Sequence, residues 1–86
     1  MTDAAQGFAD ITLSRPIEIN GAKVSALRMR EPTVADQMAA DAYGGSDAQK
    51  ELAAFANLCE VSPDDLKKLP MRDYKRLQKA FVSFLD

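Results

Sequence analysis

The chain has 86 residues, with eleven basic and thirteen acidic side chains, a net charge of −2, one cysteine and no histidine. That length supports one core and a modest stability of about 3–6 kcal/mol. The lone thiol and missing imidazole exclude an intramolecular disulfide, a Cys/His zinc site and every His-based mechanism, so neither enzyme activity nor a metal or cofactor is expected.

Residues 1–9 open with small and polar side chains and read as a lead-in ahead of a single domain over 10–86. They lack the basic start and apolar stretch of a signal peptide, and no apolar run approaches the roughly 20 residues of a membrane span. A soluble, cytoplasmic protein is the expectation.

From Asp10 the pattern has period two, with Ile11, Leu13, Ile17 and Ile19 on one side and Thr12, Ser14, Pro16 and Glu18 on the other. This predicts a strand with one wet face. Pro16 cannot donate to a ladder, which places the strand at a sheet edge with some backbone groups free. Asn20-Gly21 suits a type I′ turn, since both positions need positive φ, and a hairpin over 10–30 follows. An uninterrupted register would set Leu13 against Arg28. A bulge at Ser25-Ala26 restores an apolar face by aligning Leu27 with Arg15 and Met29 with Leu13.

"MREPT", 29–33, reads first as a joint. Pro32 ends the ladder and biases Glu31 toward extended geometry, while Thr33 stands three residues before Asp36 in a capping-box arrangement. A helix over 34–43 follows, stopped by the glycines of "GGS". A second helix over 47–60 carries Leu52, Phe55, Ala56 and Cys59 on one stripe. "SPDDL" starts a short helix over 63–69, with Ser62 as N-cap and Pro63 in the first turn. Pro70 interrupts, and a last helix over 71–85 presents Tyr74, Leu77, Phe81, Phe84 and Leu85 to the core. The predicted fold class is α+β: an N-terminal β-hairpin followed by three or four short helices in a small bundle.

Four features are candidate sites. Lys67, Lys68, Arg72, Lys75, Arg76 and Lys79 place six of the eleven bases within thirteen positions. Such runs are most often solvated helix faces, and the aromatics or glycine-rich loops of a nucleic-acid reader are missing. Cys59, on an apolar stripe with no basic neighbour, reads as a buried inert thiol. Asp64-Asp65 is an ordinary first-turn complement to a helix dipole. Arg30 and Glu31 read as parts of the joint.

The run "ITLSRPIEINGAKVSALRMREPTVADQ", with its second strand ending in Leu-x-x-Arg-Glu-Pro-Thr, resembles the tail assembly chaperones of Mu-like and other contractile-tailed bacteriophages. "LCEVSPDDLKKLPMRDYKRLQKAFVSFL" is similar to the family's closing region, whereas "AYGGSDAQKELAAF" is shorter and richer in glycine than the family pattern. The resemblance implies a non-enzymatic protein of the bacterial cytoplasm, absent from the finished virion. It would bind the tape-measure protein before tail-tube subunits polymerise, and tail-tube components are further candidate partners. The partner-binding positions this suggests are Arg30, Glu31, Arg72, Lys75, Arg76, Lys79, Phe81 and Phe84. The hairpin edge also leaves homo-oligomers open. The alternative is a small nucleic-acid-binding regulator using the basic face of the last helices.

Overall fold

The computed structural model describes residues 7–86. Strand β1 (Phe8–Ile19) and strand β2 (Ala22–Arg30) form a two-stranded antiparallel sheet. Four helices follow: α1 (Val34–Ala42), α2 (Asp47–Cys59), α3 (Pro63–Leu66) and α4 (Met71–Ser83). The architecture is the expected α+β hairpin followed by helices. Among the described residues no helix is long and apolar enough to cross a membrane.

Asn20 and Gly21 take φ of 52° and 82°, as a type I′ turn requires. Ile19 faces Ala22 and Ile17 faces Val24. The register then departs from expectation, because Ile11 lies opposite Leu27 and Met29 opposite Ala9. The interruption falls beside Ser25 as predicted, but the extra length sits in β1, where residues 13–16 stand against Ser25 alone. β1 also begins at Phe8, two residues into the stretch read as a lead-in, since Phe8 pairs with Arg30 and the Arg28 guanidinium lies 5.1 Å from the Phe8 ring centre. The part of that lead-in over 1–6 lies outside the described residues.

The bulge has a partner in α4. The Ser14 N–H and hydroxyl donate to the two oxygens of Asp73, each at 2.9 Å, and Asp73 is 0 % exposed. Arg76 closes the cluster, donating to the Thr12 carbonyl at 2.7 Å and reaching Asp73 at 3.4 Å. Lys68 donates to the Glu18 carbonyl at 2.7 Å. At alternate residues along β1, then, Thr12, Ser14 and Glu18 give backbone groups to helix side chains, and Pro16 has no N–H to give. This edge, expected to be partly free, is closed to a further strand.

The core lies between the inner hairpin face and the helices. Ile11, Leu13, Ile17, Leu27 and Met29 meet Phe55, Leu58, Leu66, Leu69 and Leu77, with Cys59 also buried. Phe55 stacks at a tilt with Tyr74 and Phe81, at centroid distances of 5.6 and 5.4 Å. On α2 Leu58 is buried and Leu52 only partly so, a rotation of the expected stripe.

Helix ends follow local chemistry. Thr33, Ser46 and Ser62 each cap a helix through a capping box, with Asp36, Gln49 and Asp65 answering. α2 ends one residue early because Glu60 turns left-handed, at φ 58°. α3 ends at Leu66 rather than 69, with Leu69 held by an i→i+3 bond to Leu66 just before Pro70. α4 ends at Ser83, and Leu85, expected in the core, is 65 % exposed beyond its last turn.

Replacing Asp73 by Ala removes the shared acceptor of the Ser14 N–H and hydroxyl and takes away a partner of Arg76. The expected loss is about 3 kcal/mol in urea unfolding at unchanged m. Asp73→Asn retains an acceptor for the Ser14 N–H, and the Ser14 hydroxyl can rotate to accept from the amide, so about half that loss is expected. An Asp73→Ala midpoint equal to wild type would show that the clamp is not what joins β1 to α4.

Candidate functional site

The proposed partner-binding residues do not converge. Arg30 forms a bidentate pair with Asp36 at 2.7 and 2.9 Å, so its guanidinium belongs to the joint. The exposed Glu31 donates its N–H to the Gly7 carbonyl, extending the hairpin by one pair. Arg72, Lys75 and Lys79 are exposed on α4 and form no ion pair among the described residues. Arg76, by contrast, is committed to β1 and Asp73. Phe81 and Phe84 are half-buried against the core, which removes most of their surface from an outward-facing patch. Of the rest of the basic run, Lys68 reaches Glu18 and Asp65, and Lys67 pairs with Asp64 at 3.4 Å.

α1 and its C-cap carry three of the seven large apolar side chains exposed among the described residues, and sequence reasoning treats the helix only as an element. Val34 is 78 % exposed, Met38 67 % and Tyr43, the residue capping its C-terminal end, 59 %. Ala35, Ala39 and Ala42 are exposed as well, and Ala40 alone is buried. At 100° per residue, Val34, Ala35, Met38 and Ala42 fall on the side opposite Ala40. Among the described residues no element covers this outer face. The signal was available in "VADQMAADAY": apolar residues occur all around the turn, so burying one side against a small bundle leaves another in water.

Between α1 and α2 runs a groove of about 370 Å³. Ala39 and Ala40 line it from α1, Ala53, Ala54 and Ala56 from α2, and Tyr43, Asn57, Val61 and Pro63 complete its walls. Alanine methyls keep it shallow and wide.

What holds α1 in place is polar. Asp36 receives Arg30 from β2, the Thr33 N–H at 2.9 Å and hydroxyl at 3.0 Å, and the Asn57 amide from α2 at 3.3 Å. Arg30 and the Thr33 bonds hold the Asp36 carboxyl far below the usual carboxylate range. The "REPT" joint thereby fixes the angle at which α1 leaves the sheet.

Charge divides along the chain. From 31 to 66 stand eight acids, Glu31, Asp36, Asp41, Asp47, Glu51, Glu60, Asp64 and Asp65, against one base, Lys50. From 67 to 79 the six bases face only Asp73. α1, α2 and α3 are therefore acidic while α4 is basic. As for chemistry, burial pushes the Cys59 thiol up to about 12, so it stays protonated and unreactive. Tyr74 is raised by burial and by its hydrogen bond to Glu51. Among the described residues no group of three His, Cys, Asp or Glu side chains could hold a metal ion.

Because the folded-state value of Asp36 is depressed, the unfolded chain binds more protons between the two values. The stability Asp36 contributes is complete above about pH 4 and is lost as pH falls through its folded value. Urea midpoints measured from pH 6 down to pH 2 should give Asp36→Asn a visibly shallower acid limb than wild type. Asp65, also lowered by its bonds to Ser62, supplies part of the limb that remains. Parallel limbs for the two proteins would contradict this account of the joint.

Residues 10–86 match the family described as phage tail assembly chaperone proteins, E, or 41 or 14. No curated protein and no solved structure matches the chain.

Proposed function

Because the chain belongs to the phage tail assembly chaperone family, we propose that it binds the tape-measure protein in the bacterial cytoplasm before tail-tube subunits polymerise around it, catalysing no reaction itself. A tape-measure protein is long and built of amphipathic helices whose apolar faces associate when left bare. A small partner that lays a helix against them keeps those faces from one another.

The observation that carries this reading is the bare outer face of α1. A soluble chain that leaves Val34 and Met38 in water while capping and anchoring the helix that bears them has a surface suited to transient apolar contact. α1 is short enough to be one half of a helix pair, and its rigid joint sets the direction from which a partner arrives.

The nucleic-acid alternative draws on six bases, three of which are engaged within the fold. Arg76 and Lys68 bind β1 carbonyls and Lys67 pairs with Asp64. Arg72, Lys75 and Lys79 are a sparse footprint for phosphate.

Co-expression with the tape-measure protein of the same gene cluster, followed by pull-down and size-exclusion chromatography, tests the proposal. A soluble complex that persists from about 50 to 200 mM salt is expected, whereas phosphate contacts would weaken steeply over that range. The double variant Val34→Glu, Met38→Glu should keep its melting temperature within a few degrees, since both side chains are largely exposed, and let the partner precipitate. A tape-measure protein that precipitates alongside the wild-type chain would end this reading.

A further inference from the structure

We propose that the outer side of α4, together with the apolar cleft at its N-terminal end, docks an acidic amphipathic helix of another protein. The proposal goes beyond the chaperone reading, since it concerns a different helix from α1 and is tested without the tape-measure protein.

The winding of α4 sets the face. At about 100° per residue, Met71, Lys75, Gln78 and Val82 fall within about 60° of one another, and Arg72 and Lys79 flank them on one side. Leu77 and the buried Asp73 lie on the far side, toward the core and β1. Met71, Arg72, Lys75, Lys79 and Val82 are all exposed. The outer side therefore carries two bare apolar side chains and three cations along about 17 Å of helix axis.

These cations have no acid of their own. Arg72, Lys75 and Lys79 form no ion pair among the described residues. The one acid of α4, Asp73, is buried against Ser14 and Arg76. On the neighbouring helices Glu51 accepts from Tyr74 and Gln78, Asp64 pairs with Lys67, and Asp65 pairs with Lys68. Carboxylates on an incoming helix are attracted and oriented here, whereas a basic helix meets like charge.

The cleft supplies the apolar half of the surface. Leu52, Leu66, Leu69, Met71 and Tyr74 line a space of about 250 Å³, and Lys67 is the one charged side chain in its wall. Such a space is too small for a cofactor and suits one leucine or phenylalanine side chain. Met71 belongs both to the cleft and to the outer side of α4, so an apolar anchor seated there brings the residues after it alongside Lys75.

Phosphate would satisfy the cations but not the cleft, and the α4 rings of Tyr74 and Phe81 are half-buried rather than bare for base stacking. A second copy offers α1 as an apolar helix. Its Asp36 is already held by Arg30 and Thr33, however, which leaves Asp41 as the other carboxylate of that helix. The occupant is therefore a helix of a different protein.

The test uses a designed peptide of about 18 residues, long enough for helix formation on contact. Leu occupies i, i+3, i+4 and i+7 and Glu fills the flanks; one twin has Lys for every Glu, and another has Ser for every Leu. Each is titrated into isotope-labelled full-length protein and followed by NMR at about 150 mM salt, where remote charges are screened. Expected are shifts concentrated at Leu52, Leu69, Met71, Lys75 and Lys79, with each twin at least roughly tenfold weaker. Lys75→Glu combined with Lys79→Glu should weaken the Glu peptide by about tenfold, and Met71→Ser by a smaller factor. Lys23→Glu, the same charge reversal at an exposed position of β2, should stay within about twofold of wild type. Thermal melts confirm that each variant folds. Shifts scattered over the surface, equal affinity for the acidic and basic peptides, an inert lysine double variant, or no binding of the Glu peptide at about 1 mM would overturn the proposal. So would a single-stranded oligonucleotide that displaces the peptide with equal or higher affinity, which would return the face to nucleic acid. The same shifts produced by raising the protein concentration alone, with sedimentation showing self-association, would overturn it in favour of a second copy.

Discussion

The carboxylate of Asp73, removed from solvent and shared among the Ser14 amide, the Ser14 hydroxyl and the Arg76 guanidinium, joins the two ends of the chain. A buried charge costs several kcal/mol in lost hydration, and the cost is tolerable only where nearly every lone pair finds a donor. α4 has no side-chain cap on its first turn, because Pro70 occupies that position and the first-turn acid is turned toward β1 instead. From this single commitment follow the place of the bulge, the pairing of Ile11 with Leu27, and the closing of the β1 edge by Arg76 and Lys68. With that edge closed, the helical side of the molecule holds the main exposed apolar surface.

α1 is attached by a different kind of force. Apolar burial contributes little, since Ala40 is its only buried residue, and orientation comes instead from the hydrogen-bonded carboxylate of Asp36 with Arg30, Thr33 and Asn57. Hydrogen bonds and a bidentate pair set direction without requiring the helix to hide its apolar side chains. Val34 and Met38 can therefore remain in water while the helix that carries them stays in one place. "MREPT" is a joint in sequence, and in the fold it is the device that presents α1.

What was legible in the sequence was what is decided within a few residues. The Asn20-Gly21 turn, the capping box at Thr33, the Ser62 N-cap and the interruption at Pro70 each depend on neighbours in the chain. The register was not legible, because the bulge in β1 depends on Asp73, fifty-nine residues away from Ser14. The same distance hid Arg76, whose side chain looks like one more base on a wet face until β1 lies beside it. Leu85 departs from expectation for another reason: the apolar periodicity continues past Ser83, where the helix ends. The α1 surface was visible as composition, but alanine-rich helices are ordinarily read for the face they bury.

The division of charge completes the reason for preferring a protein partner. A chain with a net charge of −2 gives no field at a distance, yet its acids and bases are sorted onto different helices. Electrostatic sorting of this kind contributes more to orientation and exclusion than to affinity, which comes from apolar contact. In this molecule the bare apolar residues and the alanine groove lie with the acidic elements, and the basic helix spends part of its charge on β1. A phosphate backbone would find attraction only where apolar surface is scarce and repulsion where it is plentiful. The bare apolar residues of α1 stand on acidic elements and apart from the basic helix, and for this fold that separation is the physical difference between a chaperone and a nucleic-acid reader.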